Sequence, residues 1–144
     1  IILDDIKDPG NFGTILRAGA AFGLQCVLYT PECVDPYSPK VVRAGMGAHF
    51  RLPILEIEPT ILEKITTTTQ LFLAEMREGI PCWQADLRQP TTFVIGSEAT
   101  GVSTTFRQLP HQKLCIPMPG GIESLNAAMS ATILLYEVLR QRSR

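Results

Sequence analysis

The sequence predicts an α/β fold, a mostly parallel sheet flanked by helices. Short apolar runs alternate with helical patterns along the whole chain. Several of the runs are apolar at every position, as strands covered on both faces are. The chain has 144 residues, 45% of them apolar and 19% charged, enough for one domain with a substantial core. No linker divides it and no internal repeat is visible, so residues 1–144 read as a single domain.

The runs Ile1 to Leu3, Cys26 to Tyr29, Leu71 to Ala74, Phe93 to Ile95 and Leu114 to Ile116 predict the buried strands. Helices are predicted over Phe12 to Phe22, Pro39 to Ala44, Thr60 to Thr67, Thr104 to Leu109 and, longest, Ser124 to Arg142. Ser124 is read as the cap of the last helix. That helix carries two apolar faces. Leu125, Ala128, Met129, Thr132, Ile133 and Tyr136 form one, and Ala127, Ala131, Leu134, Leu135 and Val138 the other. A helix apolar on both sides is buried from two directions, and in a domain of this size one of them is expected to be another subunit.

Lys plus Arg number 13 and Asp plus Glu 14, a net charge of −1 with both histidines neutral. That balance argues against a domain that clamps nucleic acid by bulk charge. The cations are nevertheless concentrated: Arg17, then Lys40 and Arg43, then Arg140, Arg142 and Arg144 at the end of the last helix. No stretch is long and apolar enough to span a membrane, and no signal peptide pattern opens the chain. Cys26, Cys33, Cys82 and Cys115 show no CxxC spacing and read as small hydrophobes in a reducing compartment. His49 and His111 stand far apart without ligand-like companions, so no metal site is expected.

Three segments hold more glycine and polar residues than packing requires. Asp8 to Arg17 follows the first strand. Asn11 there can cap the next helix or orient a ligand. Arg17, in an otherwise uncharged stretch, can snorkel to the surface or hold a phosphate. Phe93 to Ser103 runs a buried strand into a loop with Gly96, Glu98 and Gly101, placed where open α/β sheets collect ligands. It is neither a Walker loop nor GxGxxG. Leu114 to Asn126 ends a strand in Pro and Gly before the last helix. Its backbone can hydrogen-bond an adenine edge, with Ile116, Met118 and Leu125 against the ring faces.

Together these segments resemble the SpoU (TrmH) branch of the SPOUT RNA methyltransferases. The resemblance is carried in order by Asn11-Phe12-Gly13-Thr14-Ile15-Leu16-Arg17, by Ile95-Gly96-Ser97-Glu98 with Gly101, and by Ile116-Pro117-Met118 with Ser124-Leu125-Asn126. Ser38 to Ala48 is similar to the family's intervening segment. The likeness covers essentially the whole chain, with one departure: Ala127-Ala128 stands where the family often has Val-Ser.

The resemblance implies a C-terminal trefoil knot, an exception among folds. It implies S-adenosylmethionine as methyl donor, a homodimer with active sites at the subunit interface, and methyl transfer to a ribose 2′-hydroxyl in structured RNA, ribosomal RNA ahead of transfer RNA. By motif, Gly96, Ile116, Met118, Leu125 and Asn126 lie on the donor. Arg17, Asn11, Glu98, Ser124 and Asn126 are the catalytic set, with Arg17 reaching the partner's donor site. Arg17, Lys40 and Arg43 contact RNA. A guanidinium is a poor base at neutral pH. The expected role of Arg17 is therefore to hold the adjacent phosphate and lower the alcohol's pKa, leaving the proton to phosphate, Glu98 or water. The alternative is an inactive RNA-binding or ribosome-assembly protein on the same fold. The chain opens at Ile1 inside a predicted strand, and a separate N-terminal RNA-binding domain is expected to precede it. Cytoplasmic residence is expected, or organellar residence if a targeting segment precedes Ile1.

Overall fold

A computed structural model describes residues 1–143. The elements are β1 (Ile2–Asp4), α1 (Pro9–Phe22), β2 (Val27–Tyr29), α2 (Pro39–Gly45), β3 (Ile54–Glu56), α3 (Pro59–Thr68), β4 (Gln70–Glu75), β5 (Ile80–Pro81), β6 (Thr91–Gly96), α4 (Thr104–Arg107), β7 (Gln112–Cys115) and α5 (Ala127–Arg142), with a 3-10 turn at Ala48–Phe50. One seven-stranded sheet has the order β3-β2-β1-β6-β4-β7-β5. Every strand pair in it is parallel, as the sequence predicts.

Apolarity without alternation has its reason in two cores. Leu3, Val27, Phe72, Phe93, Ile95 and Leu114 face α1 and α5. Their neighbours Ile2, Leu28, Leu71, Leu73 and Val94 face α3 and α4. Successive side chains point to opposite faces of a sheet, so both parities must be apolar. The register places Asp4 beside Gly96 and Glu75 beside Cys115. The carboxyl ends of β1, β6, β4 and β7 thus open side by side, where the strand order reverses.

Some boundaries differ from the expectation. β3 and β5 were not anticipated. In β3 only Ile54 is buried, and β5 is two residues long, so neither leaves a pattern to read. β7 ends at Cys115, which puts Ile116 in the loop. α1 starts at Pro9 under an Asp8 cap, so Asn11 is not the cap. α5 starts at Ala127 and is capped by Asn126, whose side chain accepts from Met129 N, so Ser124 is not its cap. The end of α5 is also used differently. Arg140 donates to Glu137, and Arg142 donates to the carbonyls of Leu87 and Gln89. These two arginines clamp the chain rather than offering free charge, and Arg144 lies outside the described residues.

Of the two apolar faces of α5, Ala127, Ala131, Leu134 and Leu135 are buried, and Ala128 joins them. Met129 and Tyr136 stay open at 53% and 55% exposure, beside Ile133 and Leu139. Cys82 and Cys115 are buried, Cys26 and Cys33 partly so, and all four are free thiols. No helix among the described residues is long and apolar enough to cross a membrane.

Helix α2 lies hard against α1 because Gly13 has no side chain. A Cβ there would sit 2.5 Å from Ala44 Cβ and 2.6 Å from Val41 O. Gly13→Val is expected to cost about 1–3 kcal/mol through overpacking and to lower the thermal midpoint by several degrees in circular dichroism. Gly120→Ala, at a position with nothing within 4 Å, is expected to leave it unchanged.

Candidate functional site

The loops after β1, β6 and β7 meet over the carboxyl edge of the sheet, and one carboxylate joins them. Asp8 Oδ1 accepts the backbone N–H of Asn11 at 2.7 Å and so caps α1. The Asn11 side chain is thereby released from capping. Its Nδ2 donates to Glu98 Oε1 at 2.7 Å. The same oxygen accepts Ala127 N, the first N–H of α5, at 3.1 Å. Asn126 Nδ2 closes the ring by donating to Asn11 Oδ1 at 3.3 Å. A carboxylate at a helix N-terminus is favoured by the helix dipole, and Glu98 is held there by donors from two other segments.

The loop that presents Glu98 is a tight return. A Cβ on Gly96 would lie 2.3 Å from Gly101 C, and Gly101 takes φ +69°. No side chain fits at Gly96, and Gly101 has a backbone that L residues rarely adopt. Gly101 N donates to Ser97 O at 2.8 Å. Past the turn, Ser103 N donates to Asp4 Oδ2 at 2.6 Å. Arg107 braces the same stretch: its Nε donates to Val102 O at 3.0 Å, and its Nη1 lies 2.6 Å from Glu75 Oε1 at the end of β4.

Beneath this network lies a cavity of about 690 Å³, open mouth included. Ile95, Leu114, Ile116, Met118, Leu125 and Leu134 supply its apolar lining, and Gly96, Ser97, Glu98, Ser124 and Ser130 line it too. Glu98 also borders a second cleft of about 470 Å³ shared with Lys7, Asp8, Asn11 and Ala127. It therefore stands in the wall between the two. Of the residues singled out in the sequence, Gly96, Glu98, Ile116, Met118, Ser124 and Leu125 line the cavity. Asn11 and Asn126 stand at its lip through Glu98, and Asn126 is a cap rather than a lining residue. Arg17 is exposed on α1, and Lys40 and Arg43 are exposed on α2. None of these three touches the cavity of its own chain.

Sequence reasoning missed Glu75, Met76 and Ser130 as lining residues. Glu75 and Met76 become visible only once β4 is known to sit between β6 and β7. Ser130 lies one turn into α5 and follows once the helix start moves to Ala127. It places a hydroxyl in the cavity, whereas Ala128, where the family often has Ser, faces the core. Among the described residues no group of His, Cys, Asp or Glu is arranged to hold a metal ion.

The fold and the site together define an open α/β domain with a ligand cavity at its sheet's carboxyl edge. The chain belongs to the SpoU rRNA methylase family, which it matches over residues 1–136. It is 37% identical to an uncharacterised tRNA/rRNA methyltransferase of Synechocystis, over 99% of this chain and 53% of that protein. It is 35% identical to a 23S rRNA uridine 2′-O-methyltransferase of Streptomyces viridochromogenes, over 99% of this chain and 52% of that protein. The crystal structure of the SpoU methyltransferase AviRb from Streptomyces viridochromogenes superposes with a TM-score of 0.90 at 34% identity, covering 99% of this chain and 58% of that one. AviRb in complex with AdoMet superposes at 0.88, with 34% identity and 99% and 59% coverage. The chain spans about half the length of the curated relatives it matches.

Asp4, 2% exposed, has its pKa raised, chiefly by burial, with the Ser103 N–H opposing. A carboxyl raised in the folded state adds stability only in its neutral form. That contribution is full below the unfolded pKa and is lost as pH climbs through the folded one. Asp4→Asn keeps an acceptor for Ser103 and removes the charge. It is expected to melt at or above the parent midpoint at pH 7, with the difference vanishing in acid below the ordinary Asp range. Asp4→Ala leaves the Ser103 N–H without its acceptor and is expected to lose about 1–3 kcal/mol across that range.

Proposed function

We propose that this chain is the catalytic unit of an enzyme that transfers a methyl group from S-adenosylmethionine to a ribose 2′-hydroxyl of structured RNA, ribosomal RNA ahead of transfer RNA. The observation that carries the reading is the shared oxygen of Glu98. It ties Asn11, the glycine turn and the start of α5 into one polar lip over an otherwise apolar cavity. The names of the relatives agree: one is a 23S rRNA 2′-O-methyltransferase, and another, human rRNA methyltransferase 3, is mitochondrial.

The residues present fit the donor. A flat base suits Ile116, Met118 and Leu125, and the Gly96 backbone lines the same cavity. Glu98 supplies negative charge near a sulfonium cation, and Ser124 and Ser130 offer hydroxyls. When bound, the donor supplies an electrophilic methyl group. The chain's own work is to position and to polarise. In-line displacement at carbon demands orientation, so rigid placement of the acceptor oxygen is a large share of the rate. Glu98 Oε1 is committed to Asn11 and Ala127, and Oε2 is the oxygen left for the substrate in this reading. Arg17 stays cationic. It holds the phosphate next to the target ribose and favours the alkoxide by its charge, with the proton leaving to phosphate, Glu98 or water.

Arg17 acts on the cavity of a second subunit in this reading. The open α5 face of Met129, Ile133, Tyr136 and Leu139, with Tyr136 edge-on to Phe22 of α1, supports a homodimer built across these helices. Such a dimer brings α1, with its exposed Arg17, towards the partner in this reading. The proposal also includes the family's trefoil knot around the donor loops, supported by the likeness to solved SpoU structures. It includes residues 1–144 as the catalytic domain working with a separate N-terminal RNA-binding domain, and residence in the compartment of the RNA, the cytoplasm or an organelle.

The test is transfer of isotope-labelled methyl from S-adenosylmethionine to ribosomal RNA. Arg17→Ala is expected to lose about 10²- to 10³-fold in turnover, the size of losing one preorganised charge-stabilising group, with donor binding by calorimetry intact. Arg17→Lys recovering near-normal turnover would refute a special bidentate role. Absence of both donor binding and transfer in the parent chain would support the inactive alternative. For the dimer, Ile133→Glu is expected to halve the mass in light scattering and abolish transfer, because each cavity then lacks the other subunit's Arg17.

A further inference from the structure

We infer that the segment from Tyr37 to Arg51 is a base-stacking platform for single-stranded RNA, centred on Phe50, with Tyr37 as a second exposed ring on the same segment and with Lys40, Arg43 and Arg51 as its cations. The inference rests on the RNA reading above and names the form of RNA that this face accepts. Phe50 is 95% exposed, Met46 72% and Tyr37 61%. A single exposed apolar residue needs no explanation. Here two aromatic rings and a methionine crowd one short segment.

The display is rigid. Arg51 N and Leu52 N both donate to Ala48 O, at 2.9 and 3.1 Å, and Phe50 N donates to Gly47 O at 3.2 Å. Ala48 and Leu52 are buried and pin the turn from below. Gly47 takes φ +85° and Met46 takes φ +48°, a reversal that turns the chain out of α2 and presents Phe50. His49 bonds Pro36 O at 2.7 Å, and its ring lies 5.7 Å from that of Tyr37. The backbone that presents Phe50 and the ring of Tyr37 are therefore placed before a ligand arrives, which lowers the ordering cost of stacking.

The charge selects the ligand. Every ion pair among the described residues uses another cation: Lys7, Arg88, Arg107, Lys113 or Arg140. Among the described residues Arg17, Lys40, Arg43 and Arg51 have no ion-pair partner, no Asp or Glu stands between Tyr37 and Arg51, and Asp35 just before the segment accepts Tyr37 N. Lys40, Arg43 and Arg51 set against their own images across a two-fold axis would repel, so the dimer proposed above rests on α1 and α5 and not on this segment. A polyanion with free flat bases meets both features. Duplex RNA keeps its bases stacked on each other, so loops and bulges are the forms that can stack on aromatic side chains. The platform also lies on the path to the reaction. Gly13 seats α2 on α1, and Arg17 follows one turn later, about 40° further round the helix. A strand held at Arg17 and running over α2 would reach this segment next in the proposal.

The test is fluorescence polarisation with a dye-labelled single strand of about 12 nucleotides, against the same RNA annealed to its complement. Phe50→Ala is expected to weaken single-strand binding about 5- to 100-fold and duplex binding less than about twofold, and Phe50→Trp to restore it. Arg51→Ala is expected to lower the slope of log affinity against log salt by about 0.7, the single-strand value for one phosphate contact. Donor affinity and light-scattering mass should not change in any variant. Unchanged single-strand affinity in Phe50→Ala would overturn the platform. So would a fall in mass, which would make the face a subunit contact. Methyl transfer by the parent chain is read separately, so the platform can fail while the methyltransferase reading stands.

Discussion

One carboxylate oxygen holds the site together. Glu98 Oε1 takes donors from Asn11 in α1 and from the first N–H of α5. Three stretches far apart in sequence thus meet at one atom. The oxygen can be there only because Gly96 and Gly101 touch backbone to backbone and fold the loop back on itself. It can accept Asn11 only because Asp8, and not Asn11, caps α1. Remove any of these conditions and the polar lip over the cavity comes apart, although the sheet beneath it does not depend on them.

The sheet's contribution is placement. Parallel strands put all their carboxyl ends on one edge, and the reversal of strand order between β1 and β4 opens a crevice there. Charge is divided along similar lines. Arg107 and Arg142 are spent on bracing backbone, and Arg140 on Glu137. Among the described residues Arg17, Lys40, Arg43 and Arg51 are exposed without an ion-pair partner, on one pair of helices and the turn after them. A chain near neutrality overall can therefore still present a cationic face, and the net charge of −1 is a weak guide to its ligand.

The fold was legible where burial on both faces wrote itself into uninterrupted apolar runs, as at Phe93 to Ile95. It was illegible where too few side chains are buried to leave a pattern, as in β3 and β5. The start of α5 is ambiguous in the sequence because Ser124 and Asn126 can both cap, and only the folded chain shows which one accepts a helical N–H. Gly96, Glu98, Ile116, Met118 and Leu125 could be picked out because glycine, carboxylate and apolar residues sit just past strand ends. Glu75 and Ser130 could not, since their place in the cavity depends on strand order and helix phase. The arginines at the end of α5 looked like free charge because a sequence does not show which carbonyls a guanidinium will reach.

The central claim is that this constellation serves methyl transfer to an RNA ribose. Its most direct test is mass spectrometric mapping of ribosomal and transfer RNA from cells that lack the protein, beside cells that carry it. Cells without the protein are expected to lose a 2′-O-methyl nucleotide from a single site in ribosomal RNA, restored by the parent gene and not by an Arg17→Ala copy. An unchanged set of 2′-O-methyl nucleotides would contradict it.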